Sequence, residues 1–326
     1  MNKALFILTL IMGTIMSISS NTWFGIWMGL EINLLSIIPL MSKPNSPISA
    51  ESSIKYFITQ ALASSVLLAS IISMKMMSNL TTNIMIESVM LTKMGAAPFH
   101  FWFPEVMEGL TWNINMIIMT WQKLAPMVIL LYSPLIMKFT LIVIITSMLV
   151  SGLMGINQTS LRKIMAFSSI NHIGWMLSTI QFMETLWLIY FLTYTVIIIP
   201  IVLIMSKLNL SHIKQFMNVM DKSPSKMFLS LNFLSLGGIP PFLGFFPKWL
   251  AIQGLIENKL IILAFLMVTL TLVPLYFYIR LSLTSLTLYQ QKINQESPML
   301  HSKMIFSMNS MSMIGLLICT VLFNLT

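Results

Sequence analysis

A ten-residue pattern, G-x-x-P-F-x-x-x-F-P, occurs twice in this sequence. It begins at Gly95 and again at Gly238, so the two copies match without a gap at a constant offset of 143 positions. Both copies lie in strongly apolar stretches, where glycine and proline weaken or interrupt the hydrogen bonds of a helix. Five identical positions in ten indicate an internal repeat, and we expect each copy to break a helix.

The residues expected to cause the breaks are Gly95 and Pro98 in the first copy, and Gly238, Pro240 and Pro241 in the second. A helix in a bilayer can be interrupted only where protein or water satisfies the carbonyl groups that the break frees. Each break therefore predicts a place where water and charge can lie inside an otherwise apolar chain.

The composition indicates a membrane protein. Of the 326 residues, 57% are hydrophobic and only 8% are charged, whereas about a quarter of an ordinary soluble chain is charged. The net charge of +9 is then best explained by lysine and arginine held at membrane edges, and we expect no nucleic-acid partner. The 31 methionines are typical of an AT-rich genome that reads an extra codon as methionine, which predicts a mitochondrial origin.

With about 20 apolar residues per span, the sequence predicts an all-α polytopic membrane protein with eleven transmembrane helices. The expected ranges are 4–20, 22–40, 54–76, 82–103, 112–132, 135–156, 161–180, 185–206, 227–256, 260–282 and 304–325. The broken helices are the fourth and the ninth, five spans apart, so they enter the membrane in opposite directions. This arrangement is typical of an inverted repeat, here 4–132 and 135–282, with 304–325 as an additional C-terminal helix.

The positive charges predict the orientation. With this helix assignment, twelve lysine and arginine residues lie on the side of the N-terminus and only three, Lys75, Lys138 and Lys259, on the other side. The positive side of a membrane protein is the matrix or cytoplasm. We therefore expect the N-terminus in the matrix and the C-terminus on the outer side, with the whole chain, 1–326, forming one membrane domain.

Two charged residues form the first candidate site. Glu31 lies halfway along the second predicted helix, with no other charged residue between Lys3 and Lys43. Burying a lone carboxylate costs several kcal/mol, and Lys93, beside the first break, is the natural partner. A static ion pair that joins two helices is the alternative interpretation.

Three further residues are candidates for proton transfer. Lys123 lies near the middle of the fifth predicted helix and Lys248 follows the second break. A lysine held away from water can gain and lose a proton, although a lysine can also extend to the membrane surface. His172 is a weaker candidate, since a hydrogen-bonded helix contact is the commoner role of such a histidine. Glu87 stays without an assigned role.

Sequence motifs for redox cofactors are missing. The chain has neither a G-x-G-x-x-G pattern after a strand nor a P-loop, and its single cysteine, Cys319, excludes a four-cysteine iron–sulfur cluster. No metal-ligand pair stands at helical spacing. Any redox chemistry must therefore belong to partner chains.

Four stretches, LTKMGAAPFHFWFPEV, TWQKLAP, SSINHIGWM and LGGIPPFLGFFPKW, occur in an order and spacing that resemble the antiporter-like, proton-pumping subunits of mitochondrial respiratory complex I. The resemblance covers nearly the whole chain and is strongest to the shortened animal, insect-like type. It implies a membrane-arm subunit that translocates protons across the mitochondrial inner membrane, coupled to electron transfer from NADH to ubiquinone elsewhere in the complex. The proton-translocating core would be 22–282, and the C-terminus would face the intermembrane space.

The resemblance also implies residue roles: a charge pair of Glu31 and Lys93, Lys123 as the central proton carrier, and Lys248 as the lysine of the second broken helix. It implies that this chain binds no cofactor, and that NADH, FMN, iron–sulfur clusters and ubiquinone act in partner subunits. The expected partners are neighbouring antiporter-like and small hydrophobic membrane-arm subunits, accessory subunits and lipids. A stand-alone cation/proton antiporter, or a structural assembly subunit with static charge pairs, are the alternative functions.

Overall fold

A computed structural model describes residues 3–42, 46–74, 78–218, 224–240 and 242–286. Within these ranges the backbone is helical, apart from turns and one antiparallel bridge between Ser160 and His212. The prediction of an all-helical membrane protein is confirmed at this level. The eleventh predicted helix, 304–325, lies outside the described residues.

The helices are numbered in chain order. They are α1 (Lys3–Ser19), α2 (Trp23–Met41), α3 (Pro47–Ser73), α4 (Asn79–Met94), α5 (Trp102–Gly109), α6 (Trp112–Met119), α7 (Trp121–Tyr132), α8 (Met137–Ile156), α9 (Leu161–Ile180), α10 (Glu184–Lys207), α11 (Ile213–Asn218), α12 (Pro224–Gly237), α13 (Phe245–Glu257) and α14 (Ile261–Leu286). The chain divides into two compact units, Met1–Thr146 and Ser147–Thr326.

Six of the described segments are long and apolar enough to cross a membrane: α2, α3, the stretch from α6 to α7, α8, α10 and most of α14. Their surfaces are apolar and their interiors are partly polar. On α3, for example, Leu62 is 62% exposed whereas Gln60, two residues earlier, is 4% exposed. Such helices present apolar side chains to a lipid or protein surface and keep polar groups inside.

In the first unit, small residues hold α1 and α2 close together. A Cβ atom on Gly13 would lie 2.9 Å from the backbone nitrogen of Asn33, and one on Gly29 would lie 2.6 Å from the backbone nitrogen of Ser17. Membrane helices use small residues in this way to bring two backbones into contact. The contact fixes the position of α2, which carries Glu31 and Asn33.

In the second unit, α9 is the central helix. Every residue from Ile164 to Ile180 is buried, and α10, α13 and α14 pack against it. Polar side chains on a helix that is buried all round must be satisfied by neighbouring helices. This requirement decides the environment of His172.

Several helix boundaries differ from the sequence prediction, and two of the differences have a clear physical cause. The expected single helix 112–132 is divided at Thr120, whose backbone (φ −112°, ψ −73°) departs from helical values. Its hydroxyl donates to the carbonyl of Met116 at 2.7 Å, a side-chain bond that commonly bends helices. Helix α3 begins at Pro47 rather than at 54, because proline favours the first helical position and the polar turns after it continue the helix.

Candidate functional site

The first copy of the repeated pattern ends a helix through a glycine. Gly95 follows α4 and adopts a left-handed conformation with φ 76°. Its N–H donates to the carbonyl of Thr92 at 3.1 Å, and the N–H of Ala96 donates to that of Leu91 at 3.0 Å. This pair of bonds is the Schellman C-cap, which requires a residue that tolerates positive φ.

The second copy ends α12 with the same backbone geometry. Gly238 also has φ 76°. Its N–H donates to the carbonyl of Ser235 at 3.0 Å, and the N–H of Ile239 donates to that of Leu234 at 3.4 Å. All four residues stand 143 positions after their counterparts in the first cap. The repeated sequence thus produces the same local structure twice.

The prolines of the pattern lie in the non-helical segments after each cap. Pro98 and Pro240 are exposed, and Pro241 lies outside the described residues. In the first segment, the hydroxyl of Thr146 donates to the carbonyl of Ala97 at 3.2 Å. Protein side chains therefore satisfy part of the backbone that the break frees.

Lys248 lies at the second break and caps α12. Its ammonium donates to the carbonyl of Gly237 at 2.8 Å and lies 3.5 Å from that of Leu236, and the residue is only 7% exposed. The corresponding position in the first copy is Glu105, which instead pairs with Lys55 at 2.8 Å, where both side chains are exposed. Because the Lys248 ammonium contacts the last carbonyl groups of α12, it lies at the negative end of the dipole of that helix.

Lys123 lies between two irregularities of one apolar stretch. It follows the interruption at Thr120, and it precedes Pro126, which has no N–H to donate to the carbonyl of Gln122. The residue is 1% exposed. Its ammonium lies 5.9 Å from the ring centre of Phe103, a distance at which an aromatic ring attracts a cation.

Lys93 lines a small polar cavity in the first unit. The residue is 8% exposed, and the cavity has a free volume of about 20 Å³, enough for about one water molecule. The amide nitrogen of Gln122 donates to Asn33 Oδ1 at 2.8 Å in its wall. In the part of the chain that the structure describes, the buried nitrogen of Gln60 has no acceptor.

Glu31 is partly exposed on α2 and acts on Lys93 through space. Its charge is close enough to interact with the ammonium of Lys93. Among the described residues, however, no salt bridge joins Glu31 to Lys93. Glu31 and Lys93 thus interact over a distance greater than 4 Å, rather than as a direct ion pair.

His172 is buried in the middle of α9. Its Nδ1 forms a hydrogen bond with the hydroxyl of Tyr190 at 2.9 Å, and its ring centre lies 5.0 Å from that of Tyr194. A histidine in such contact can accept or donate a proton according to its tautomer. No sequence pattern singles out Tyr190, because a tyrosine in an apolar helix usually serves packing.

The sequence interpretation also missed the uncharged polar residues of the cavity, Asn33, Gln60 and Gln122. The signal that could have found them is their position inside apolar helices, where an amide side chain needs a partner. Within the described ranges, no group of three or more His, Cys, Asp or Glu side chains is arranged to hold a metal ion.

Comparison with known proteins gives the family. A family model described as NADH:quinone oxidoreductase/Mrp antiporter, TM, matches residues 20–274. The chain belongs to this NADH:quinone oxidoreductase/Mrp antiporter family. The resemblance to the antiporter-like subunits is thereby confirmed.

Two relatives in the NADH:quinone oxidoreductase/Mrp antiporter family are proteins named NADH-ubiquinone oxidoreductase chain 2. The one from Anopheles gambiae is 49% identical over 95% of this chain and 92% of its own. The one from Aedes aegypti is 49% identical over 98% of this chain and 97% of its own. A chain in the solved structure of respiratory complex I from Thermus thermophilus with bound aureothin has the same fold, with a TM-score of 0.83, 22% identity, and coverage of 98% of this chain and 79% of that one.

Proposed function

We propose that this chain is a proton-translocating membrane-arm subunit of respiratory complex I, a multi-pass protein of the mitochondrial inner membrane. Proton movement would be coupled to electron transfer from NADH to ubiquinone in other subunits. The observation that carries this function is the placement of three buried lysines, Lys93, Lys123 and Lys248, each within a few residues of a helix interruption. A structural helix contact has no need of three such costly groups.

The proposed membrane topology follows from the sequence. The chain would cross the membrane eleven times, and the repeats 4–132 and 135–282 would be inverted relative to each other. The proton-translocating core would extend from 22 to 282. The segment 304–325 would form the additional span, with the N-terminus in the matrix and the C-terminus in the intermembrane space. The distribution of positive charge supports this orientation, and the repeated C-cap supports a duplication.

The residue roles follow from charge and position. Glu31 would modulate Lys93 by its charge, Lys123 would carry the proton, and Lys248 would accept or release it at the second break. His172, with Tyr190, would serve as a further relay in the second unit. At an effective dielectric constant of about 20, two charges a few ångströms apart interact by several kcal/mol, which changes a proton equilibrium by about a hundredfold or more. Movement of one charge can therefore drive transfer at the next.

We expect this chain to bind no cofactor of its own. NADH, FMN, the iron–sulfur clusters and ubiquinone would act in partner subunits, and the contribution of this chain would be the proton path. Its partners would be neighbouring antiporter-like and small hydrophobic membrane-arm subunits, accessory subunits and membrane lipids. Apolar side chains on the outside of several helices are suited to such contacts.

Replacing Lys123 with methionine in the intact complex tests the proposed function. Methionine keeps the length and apolar contacts of the side chain but cannot carry a proton, so we expect normal complex abundance with fewer protons translocated per NADH oxidised. The matched control is Lys138→Met, since Lys138 is exposed at the start of α8 in the same unit. It should leave both quantities unchanged.

The alternatives predict different results. If the chain were a structural assembly subunit with static charge pairs, Lys123→Met would lower complex abundance, with the proton yield of the remaining complex unchanged. If it were a stand-alone antiporter, the purified chain in vesicles would exchange sodium for protons without NADH. Unchanged pumping by an abundant Lys123→Met complex would exclude the role given to this lysine.

A further inference from the structure

Glu87 is a buried carboxylate that the proposed proton path does not use. It lies on α4 and is 2% exposed. Its Oε2 accepts a hydrogen bond from the N–H of Ile136 at 3.2 Å. Its Oε1 is also buried, and no described residue donates a hydrogen bond to it. Half of a buried, ionisable group is thus left without a partner in the described structure.

The bond to Ile136 places this carboxylate at the beginning of another helix. Ile136 directly precedes α8, and its carbonyl accepts from Phe139 at 2.9 Å and from Thr140 at 3.0 Å, so it is the N-cap residue. In a capping box, a glutamate in the first turn of the same helix accepts from the N-cap N–H. Glu87 does this from a different helix, and the positive end of the α8 dipole favours its ionised form.

Burial acts in the opposite direction, because a carboxylate away from water and without a cation favours the neutral form. Helices α3 and α7 pack against α4. The titratable residues described on α3, α7, α4 itself and the first turn of α8 are Glu51, Lys55, Tyr56, Lys123, Tyr132, Lys93 and Lys138. Within the described structure, none of them forms a hydrogen bond or ion pair with Glu87. Among the groups that the structure describes, one N–H and a helix terminus support the charge of Glu87.

We propose that Glu87 is a proton-binding residue of this subunit, and that its charge controls the hydrogen bond at the start of α8. Uptake forms one O–H bond on the carboxylate and release breaks the same bond, so no other reactant is needed. The ionised form holds the N–H of Ile136, whereas the neutral form is a weaker acceptor. The segment 133–136 joins this N-cap to the end of α7, the helix that carries Lys123. Glu87 therefore acts as a positioning residue beside the proton path and is not one of its proton carriers.

This inference rests on the proposed function, and Glu87→Gln in the intact complex tests it. Glutamine keeps the size of the side chain and an oxygen for Ile136, but it cannot bind a proton. We expect normal abundance and at least a twofold fall in protons translocated per NADH oxidised. The infrared difference spectrum between resting and turning-over complex should lose one band of a protonated carboxylic acid. Glu108→Gln, at an exposed glutamate in the same unit, is the matched control and should change neither measurement.

A second variant tests the proposal in case the Glu87→Gln complex assembles poorly. If Glu87→Gln lowers abundance, Glu87→Asp keeps a carboxylic acid and should retain the infrared band at a shifted frequency. A complex with Glu87→Gln that pumps normally and keeps the wild-type spectrum would overturn the proposal, as would a Glu87→Asp spectrum in which no carboxylic acid band moves. The infrared band reports proton binding by Glu87 directly, so this result is distinguishable from a failure of the Lys123→Met test.

Discussion

Replacing Gly238 with alanine tests whether the cap of α12 and Lys248 act as one structural unit. A residue with a Cβ atom in the left-handed conformation is strained by about 1–2 kcal/mol. The new Cβ would also lie 2.8 Å from both Cδ and Nζ of Lys248. Because the lysine side chain is flexible, it would move away and lose its hydrogen bond to Gly237 at 2.8 Å.

The expected size of the effect follows from these two contributions. A hydrogen bond from a charged group contributes about 1.5–3 kcal/mol, so strain and lost bond together disfavour the capped arrangement by about 2.5–5 kcal/mol. Such a change shifts the equilibrium between capped and uncapped forms by roughly two to almost four powers of ten. We expect the variant to translocate markedly fewer protons per NADH oxidised, and to assemble less well.

The neighbouring glycine supplies a matched control. A Cβ atom on Gly237 would lie 3.6 Å from Tyr278, an ordinary contact, and Gly237 is the last residue of α12. Alanine is favoured over glycine in a helix by up to about 1 kcal/mol, so Gly237→Ala should be neutral or slightly stabilising. Native gels would give the abundance of both variants, and proton uptake by vesicles during NADH oxidation would give transport.

A double variant separates backbone strain from the effect on the lysine. If Gly238→Ala acts through the ammonium, adding Lys248→Met should lower transport by less than the sum of the two single effects. Fully additive effects would refute the coupling of cap and lysine. Equal losses in Gly237→Ala and Gly238→Ala would refute the argument from the positive φ.

Three further substitutions test other contacts. Tyr190→Phe removes the hydroxyl that forms a hydrogen bond with His172 at 2.9 Å. The variant should lose about 1–3 kcal/mol of stability, because a buried ring nitrogen loses this hydrogen bond, and differential scanning fluorimetry would record a lower melting temperature of the complex. Gln122→Leu removes the donor to Asn33 at 2.8 Å and should reduce proton transport at constant abundance, measured in vesicles. Gly29→Ala forces a Cβ to within 2.6 Å of the α1 backbone and should sharply lower abundance on native gels, whereas an unchanged level would contradict the tight α1–α2 contact.

The helix breaks could be predicted from sequence because their cause is local. A glycine followed closely by proline favours the end of a helix through its own backbone geometry, and Gly95 and Gly238 both have the same φ of 76°. The division at Thr120 was missed because its cause is a single hydroxyl bonded to the preceding turn. A threonine elsewhere makes a similar bond within an unbroken helix, since the hydroxyl of Thr59 donates to the carbonyl of Lys55 at 3.1 Å in the middle of α3.

The polar partners inside the first unit could not be predicted, since they come from distant parts of the chain. Gln122 and Asn33 are 89 positions apart, and Glu87 and Ile136 are 49 apart. The sequence shows only that each polar residue lies in an apolar helix and needs a partner. Which partner it finds depends on helix packing, which periodicity alone does not determine.

The two breaks share a backbone but differ in the groups that satisfy it. In the first, the indole nitrogen of Trp102 donates to the carbonyl of Thr92 at 3.1 Å, and this neutral bond does not depend on a proton. In the second, the ammonium of Lys248 donates to Gly237, and a charge-assisted bond of this kind is roughly twice as strong as a neutral one. Loss of the lysine proton would therefore weaken the cap of α12 and leave the cap of α4 as it is. The duplicated pattern thus supplies one break that is insensitive to protonation and one that responds to it, a difference that arises from side chains outside the repeated positions.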